Sequence, residues 1–151
     1  MNEGSQKDFT AYCGLCCQDC IPSKKRLFEL IRELSFLASE LHLDSYAELK
    51  TPNNPIFANY AIFESMLSEL AWLECAAPCR LGGGKTECGI RDCAIARGYE
   101  GCWECAEMKE CKRLMPLRAF HGRTIDENLD AIKECGIDDW SPKKGNHYPW
   151  S

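Results

Sequence analysis

The chain has 151 residues, enough for one ordinary domain, and carries a formal net charge of −5. Its composition is ordinary except for twelve cysteines, a density that belongs either to a disulfide scaffold or to a metal protein. The polar start Met1-Asn2-Glu3-Gly4-Ser5-Gln6-Lys7-Asp8 lacks the apolar stretch of a secretory signal, and Arg32, Glu33, Glu64 and Glu69 break every apolar run well short of the roughly 20 residues of a membrane span.

A cytoplasmic location is therefore expected. Thiols stay reduced there, so dense cysteine points to metal rather than to cross-links. Cys13, Cys17 and Cys20 come first, spaced C-x3-C-x2-C, with Cys16 beside Cys17. About fifty cysteine-free residues follow.

In that stretch Leu27, Leu30, Ile31, Leu34, Ala38 and Leu41 recur at three- and four-residue steps, which predicts an amphipathic helix over 23–43 with Ser23 as its cap. Thr51-Pro52-Asn53-Asn54-Pro55 breaks it, and Asn54-Pro55 suits a new helix start. Phe63, Met66, Leu67, Leu70 and Leu73 then share one face. Both stripes are expected to be core, buried against each other or against the cysteine-rich part.

From Cys75 to Cys111 short segments alternate with Pro78, Gly82-Gly83-Gly84, Gly89, Gly98 and Gly101. Little apolar material is available there, so metal is expected to replace core. Gly82-Gly83-Gly84-Lys85-Thr86 lacks the spacing of a phosphate loop and reads as a flexible turn. Near the end, Thr124-Ile125-Asp126-Glu127 reads as a capping box, with Ile125, Leu129 and Ile132 as an apolar face and Gly136 as the stop. Trp140, Tyr148 and Trp150 in the tail are expected to fold back over the core.

The cysteine spacing carries the chemistry. Zinc is held in a tetrahedron of soft ligands, and a C-x-x-C turn aims two thiolates at one ion. Cys102-Trp103-Glu104-Cys105 is such a pair, preceded by Cys88 and Cys93 and followed by Cys111. Cys13-Gly14-Leu15-Cys16-Cys17-Gln18-Asp19-Cys20 resembles the opening CGLxCxxC signature of the family called domain of unknown function 3795. Cys79-Arg80, Cys88-Gly89-Ile90-Arg91-Asp92-Cys93-Ala94, Gly98, Cys102-Trp103-Glu104-Cys105 and Cys111, then His121, Asn128-Leu129, Ile132, Gly136 and Trp140, resemble its later pattern. The resemblance implies a metal-binding protein without an established activity, with Cys13, Cys17 and Cys20 as a first group of ligands and Cys79, Cys88, Cys93, Cys102, Cys105 and Cys111 as a second. Cys16 stands where an aromatic is usual, and Cys75 is spaced one residue too far from Cys79, so both fall outside that pattern. His121 is a further nitrogen candidate, ahead of His42 and His147. Cys135 reads as a small buried hydrophobe.

Two zinc ions are expected, one drawing on Cys13, Cys17 and Cys20 with Cys79 or Cys75, the other on Cys88, Cys93, Cys102, Cys105 and Cys111. The expected fold is mainly α: a small helical scaffold with metal-stapled cysteine-rich loops, zinc knuckles and little β. It forms one domain over 1–151, comprising an N-terminal cluster at 12–22, a helical insert at 23–74, a second cluster at 75–113, and a helix and tail at 114–151. The leading functional reading is a zinc-binding interaction or structural module, its partner a protein or a small molecule.

Two alternatives remain. C-x3-C-x2-C is also an iron–sulfur spacing, though the chain is too short for the barrel of the radical S-adenosylmethionine enzymes that share it. A zinc-dependent enzyme would keep one coordination position open, or activate a thiolate such as Cys16. No G-x-S-x-G, H-E-x-x-H or H-x-E…C-x-x-C arrangement names a catalytic residue, so whether the chain is an enzyme stays open. The basic residues Arg80, Lys85, Arg91, Arg97, Lys109, Lys112, Arg113 and Arg118 are interleaved with acidic ones, which weighs against nucleic acid as partner.

Overall fold

The structure, a computed structural model, describes residues 4–145, so His147, Tyr148 and Trp150 lie outside the described residues. The chain divides into two compact units, one formed by Ile21–Cys75 and one by Met1–Cys20 with Ala76–Ser151. The described residues contain six α-helices and a single isolated antiparallel bridge, Thr10 to Cys16. Among them no helix is long and apolar enough to cross a membrane.

The Ile21–Cys75 unit holds α1 (Lys25–Glu40), α2 (Leu43–Lys50) and α3 (Tyr60–Ala71). Ser23 does not cap α1: Ile21–Ser23 wind into a 3-10 turn, and Lys24 takes the cap position, its side chain making no capping hydrogen bond. Asn54 does cap, accepting from the Ile56 amide at 3.3 Å ahead of the 3-10 turn Pro55–Asn59 that leads into α3. Glu74 draws the ends of the unit together, accepting from Lys25 (3.3 Å) and from Arg32, while Lys25 also donates to the Cys75 carbonyl at 2.6 Å.

The expected apolar stripes are only partly core. Phe28, Ile31 and Ala38 are buried on α1 and Ala47 on α2, whereas Leu27, Leu30, Leu34 and Leu41 are 40–72% exposed. No residue of α3 is buried, and Phe63, Met66, Leu70 and Leu73 are 37–58% exposed. Three short helices enclose one line of side chains, and the rest of each stripe stays at the surface because so small a unit has little interior.

The other unit contains α4 (Gly89–Ala96), α5 (Met115–His121) and α6 (Thr124–Cys135). Ile125, Leu129 and Ile132 on α6 are fully buried, as their period predicts, and pack with Cys16, Trp103, Met108, Leu114 and Trp140. The cysteine-rich half thus does have a core, because Trp103 and Met108 from between the cysteines and Trp140 from the tail gather on one helix face. Thr124 is the first helical residue rather than the cap: Arg123 before it is already αR, so the capping box is not made and the Thr124 hydroxyl is buried without a partner. Gly136 ends α6 as expected, with φ +84° and its amide donating to the Ile132 carbonyl at 2.8 Å.

Buried polar side chains fasten the N-terminal segment to this core. Trp140 Nε1 donates to Thr10 Oγ1 at 2.9 Å, and Asn128 Nδ2 donates to the Gly14 carbonyl at 2.8 Å. Residues 9–17 double back around Gly14, the Ala11 amide donating to the Leu15 carbonyl (2.8 Å) and the Cys17 amide to the Phe9 carbonyl (2.7 Å). Gly14 turns this loop with φ +84°, and a Cβ there would lie 3.0 Å from Leu129 Cδ2. Gly14→Ala meets both left-handed strain and crowding, so we expect a loss of about 1–3 kcal/mol, read from the urea unfolding midpoint.

Candidate metal centre

Two C-x-x-C segments fold into the same local shape. Cys17–Asp19 and Cys102–Glu104 are each one 3-10 turn, closed by the Cys20 amide on the Cys17 carbonyl (3.2 Å) and the Cys105 amide on the Cys102 carbonyl (3.1 Å). Residues three apart eclipse in a 3-10 turn, so the paired cysteine side chains leave the backbone on one side. Trp103 inside the second turn is buried and anchors it to the core. A further 3-10 turn, Met108–Glu110, delivers Cys111.

Cys79 opens the turn Cys79–Leu81, which Gly82 closes with φ +88°. Gly83 is pressed against the Ala77 carbonyl, where a Cβ would fall 1.5 Å from the oxygen. The Gly82-Gly83-Gly84 run is therefore a built turn whose close backbone approach demands glycine, not a flexible spacer. Cys88 precedes α4 and Cys93 lies within it.

All twelve cysteines are free thiols. Cys93, Cys102, Cys105 and Cys111 line one cavity of about 30 Å³. Burial pushes the Cys102 thiol up to about 12, reinforced by Cys111, Cys105, Cys93 and Cys88 in that order. Burial likewise pushes Cys13 up to about 12, with Cys79, Cys102 and Cys88 adding repulsion. Cys17 is raised to about 11, again chiefly by burial, while a hydrogen bond from the Cys79 backbone pulls the other way and Cys79, Cys16 and Cys20 repel.

Cys79 thus acts on Cys13 and Cys17, and Cys20 on Cys17, while Cys93, Cys102, Cys105 and Cys111 line the cavity; Cys102 also acts on Cys13, so the two neighbourhoods adjoin. Cys88 acts on a member of each. Among the described residues no three histidine, cysteine, aspartate or glutamate side chains converge tightly enough to hold a metal ion as they stand. The donor set is nonetheless wholly sulfur, the cavity has room for one ion, and soft borderline dications prefer such donors.

Four arginines hold these loops, a role their interleaving with acidic residues gave no means of foreseeing. Arg80, next to Cys79, lies over the Tyr12 ring (4.4 Å) and the Trp103 ring (5.5 Å) and donates to the carbonyls of Thr10 and Glu100, each at 2.6 Å. It therefore joins the segments that carry Cys13, Cys79 and Cys102. Arg118 donates to the Met108 carbonyl (2.7 Å) and the Cys111 carbonyl (3.3 Å) while paired with Asp126 (2.8 Å). Arg91 donates to the Gly83 and Thr86 carbonyls at 3.3 and 2.9 Å. Arg97 donates to the Cys105 sulfur at 3.6 Å, and the Cys93 and Cys105 thiols raise its own pKa.

The remaining candidates are Cys16, Cys75, Cys135, His121 and His42. Cys16 is buried in the apolar core, where its sulfur faces Gln18 Oε1 at 4.0 Å. Cys75 belongs to the Ile21–Cys75 unit, its amide donating to the Pro22 carbonyl at 2.9 Å. Cys135 ends α6 and packs against the core, close enough to Lys143 to raise that amine's pKa. His121 is buried at the end of α5, edge-on to Phe120 at 4.9 Å, and burial lowers its pKa. His42 has φ +49° at the junction of α1 and α2.

The sequence profile of the family described as Protein of unknown function (DUF3795) matches residues 9–116. The chain belongs to this family. The DUF3795 match takes in both C-x-x-C turns and every cysteine from Cys13 to Cys111, and stops within α5, before the helix that carries most of the core. No curated protein and no solved structure matches the chain.

The raised thiols make the metal-free protein sensitive to alkali. With folded-state pKa values of about 11 to 12 against an ordinary 9.0, the folded chain keeps protons that the unfolded chain releases. This contribution is fully present below about pH 9 and is lost as pH rises through the folded values.

Proposed function

We propose that the protein is a zinc-binding interaction or structural module that holds two ions in its cysteine-rich unit. Cys13, Cys17, Cys20 and Cys79 serve one ion, and Cys93, Cys102, Cys105 and Cys111 the other. The observation that carries this reading is the cavity of about 30 Å³ lined by four thiols drawn from α4, a C-x-x-C turn and the turn after it. Four cysteines separated by up to eighteen positions in sequence thus line one cavity, as the ligands of a single ion would.

A bound structural zinc supplies folding free energy by cross-linking loops. Each four-thiolate ion adds a net charge of about −2, which the Arg97 guanidinium, donating to Cys105 sulfur, partly offsets at the second group. Nine cysteines for eight positions leave one over, and Cys88, which is not among the four that line the cavity, is assigned that place. The partner is a protein or a small molecule, met in a reducing cytoplasm.

Metal analysis with anomalous scattering tests the proposal, and close to two zinc ions per chain with four sulfurs at each is the expected result. Brown protein absorbing in the visible after anaerobic purification would instead favour an iron–sulfur cluster, for which the thiol set is equally suited. Three sulfurs and an open position at one ion would favour a zinc enzyme. A metal content near zero with free thiols and an intact fold would end the proposal.

A further inference from the structure

Two apolar stripes run along α1, and only one is buried. Phe28, Ile31 and Ala38 form the buried stripe. Leu27, Leu30, Leu34, Leu37 and Leu41 form the other, about a quarter-turn away; all are leucine, and all are at least 40% exposed. Their steps of three, four, three and four residues are the 3.5-residue repeat of a coiled-coil seam, narrower than the face a helix needs to sit on its own core.

We propose that this leucine seam pairs with the same seam of a second copy of the chain, the two α1 helices running antiparallel about a two-fold axis. The axis falls between Leu30 and Leu34. It sets Leu27 against Leu37 of the second copy and Leu30 against Leu34, so four leucine layers close with knobs into holes.

Charge selects this arrangement. Arg26, Glu33 and Glu40 flank the seam on its solvent side, one heptad apart; Arg26 meets Glu29 of its own helix at 3.2 Å, an exposed pair that it exchanges or shares on association. The antiparallel two-fold brings Arg26 opposite Glu40 of the second copy, twice by symmetry, against one meeting of Glu33 with its own copy in screening solvent. A parallel pair would set these charged residues against the positions of Ile31 and Ala38, which are already buried, and would form no ion pair. Because α1 is held by its own unit, association needs no helix formation, the cost that makes isolated seams of two heptads weak. The dimer does not depend on the metal sites.

Sedimentation velocity of the full chain as purified, in reductant, over about 1 to 100 µM tests this, with a mass moving from monomer to dimer as the expected result. Leu30→Glu with Leu34→Glu, both at exposed positions, is expected to give monomer throughout with helix content and metal content unchanged. Arg26→Glu alone and Glu40→Arg alone are each expected to weaken the dimer about tenfold, and the two together to restore it. A monomer at every concentration, a dimer that survives the leucine substitutions, or a double exchange that fails to recover association would each overturn the proposal.

Discussion

If the protein holds the two ions proposed above, Cys102→Ser is expected to release one of them and to unfold much of the cysteine-rich unit. Cys102 begins a C-x-x-C turn, lines the four-thiol cavity, and donates its amide to the Tyr12 carbonyl at 2.8 Å, beside Cys13. A hydroxyl is a poor replacement for a thiolate on zinc, and structural zinc sites contribute on the order of 10 kcal/mol or more at neutral pH. A small domain has about 5–15 kcal/mol in total, so losing one site removes most of the margin. Metal content should fall from about two ions to about one, with lost dispersion in the amide spectrum. Cys88→Ser, at the ninth thiol, should keep both ions and the spectrum. Two ions retained by Cys102→Ser, or one lost by Cys88→Ser, would show the partition to be wrong.

The second large effect needs no metal. Asn128 is fully buried; its Nδ2 donates to the Gly14 carbonyl at 2.8 Å, and its Oδ1 accepts from the Gly145 amide at 2.8 Å. One side chain thus joins the loop that presents Cys13 and Cys17 to the segment after α6. Asn128→Ala leaves a carbonyl and an amide without partners in the interior, each costing about 1–3 kcal/mol, so a loss of about 2–5 kcal/mol is expected. Asn128→Asp should also destabilise, because a carboxylate cannot donate to Gly14. The urea unfolding midpoint reads both, and a change under about 0.5 kcal/mol for either variant would refute the staple.

Legibility in the sequence followed the range over which each signal acts. The α6 stripe was readable because Ile125, Leu129 and Ile132 repeat at helical spacing and all three are buried. The α1 stripe was readable as helix and misleading as core. Two apolar stripes overlap in it, and periodicity reports an amphipathic helix without saying which stripe meets its neighbours. Thr124 carried a capping pattern that the structure does not use, because only two residues separate it from the end of α5 and Arg123 is already helical. Arg80 and Asn128 sat in the quoted family pattern with no visible role, since each acts on carbonyls far away in sequence.

By itself the sequence determined the chemistry on offer and the helical character. C-x-x-C spacing is a local property, and a 3-10 turn presents its two thiols together whatever surrounds it. Which thiols become neighbours was decided only by tertiary structure. Cys79 comes to Cys17, and Cys93 and Cys111 come to the Cys102 turn, because Trp103, Met108, Leu129 and Trp140 bury against one another and Arg80 and Arg118 tie the loops between them. Such contacts join residues tens of positions apart, and no short-range pattern encodes the distance between them.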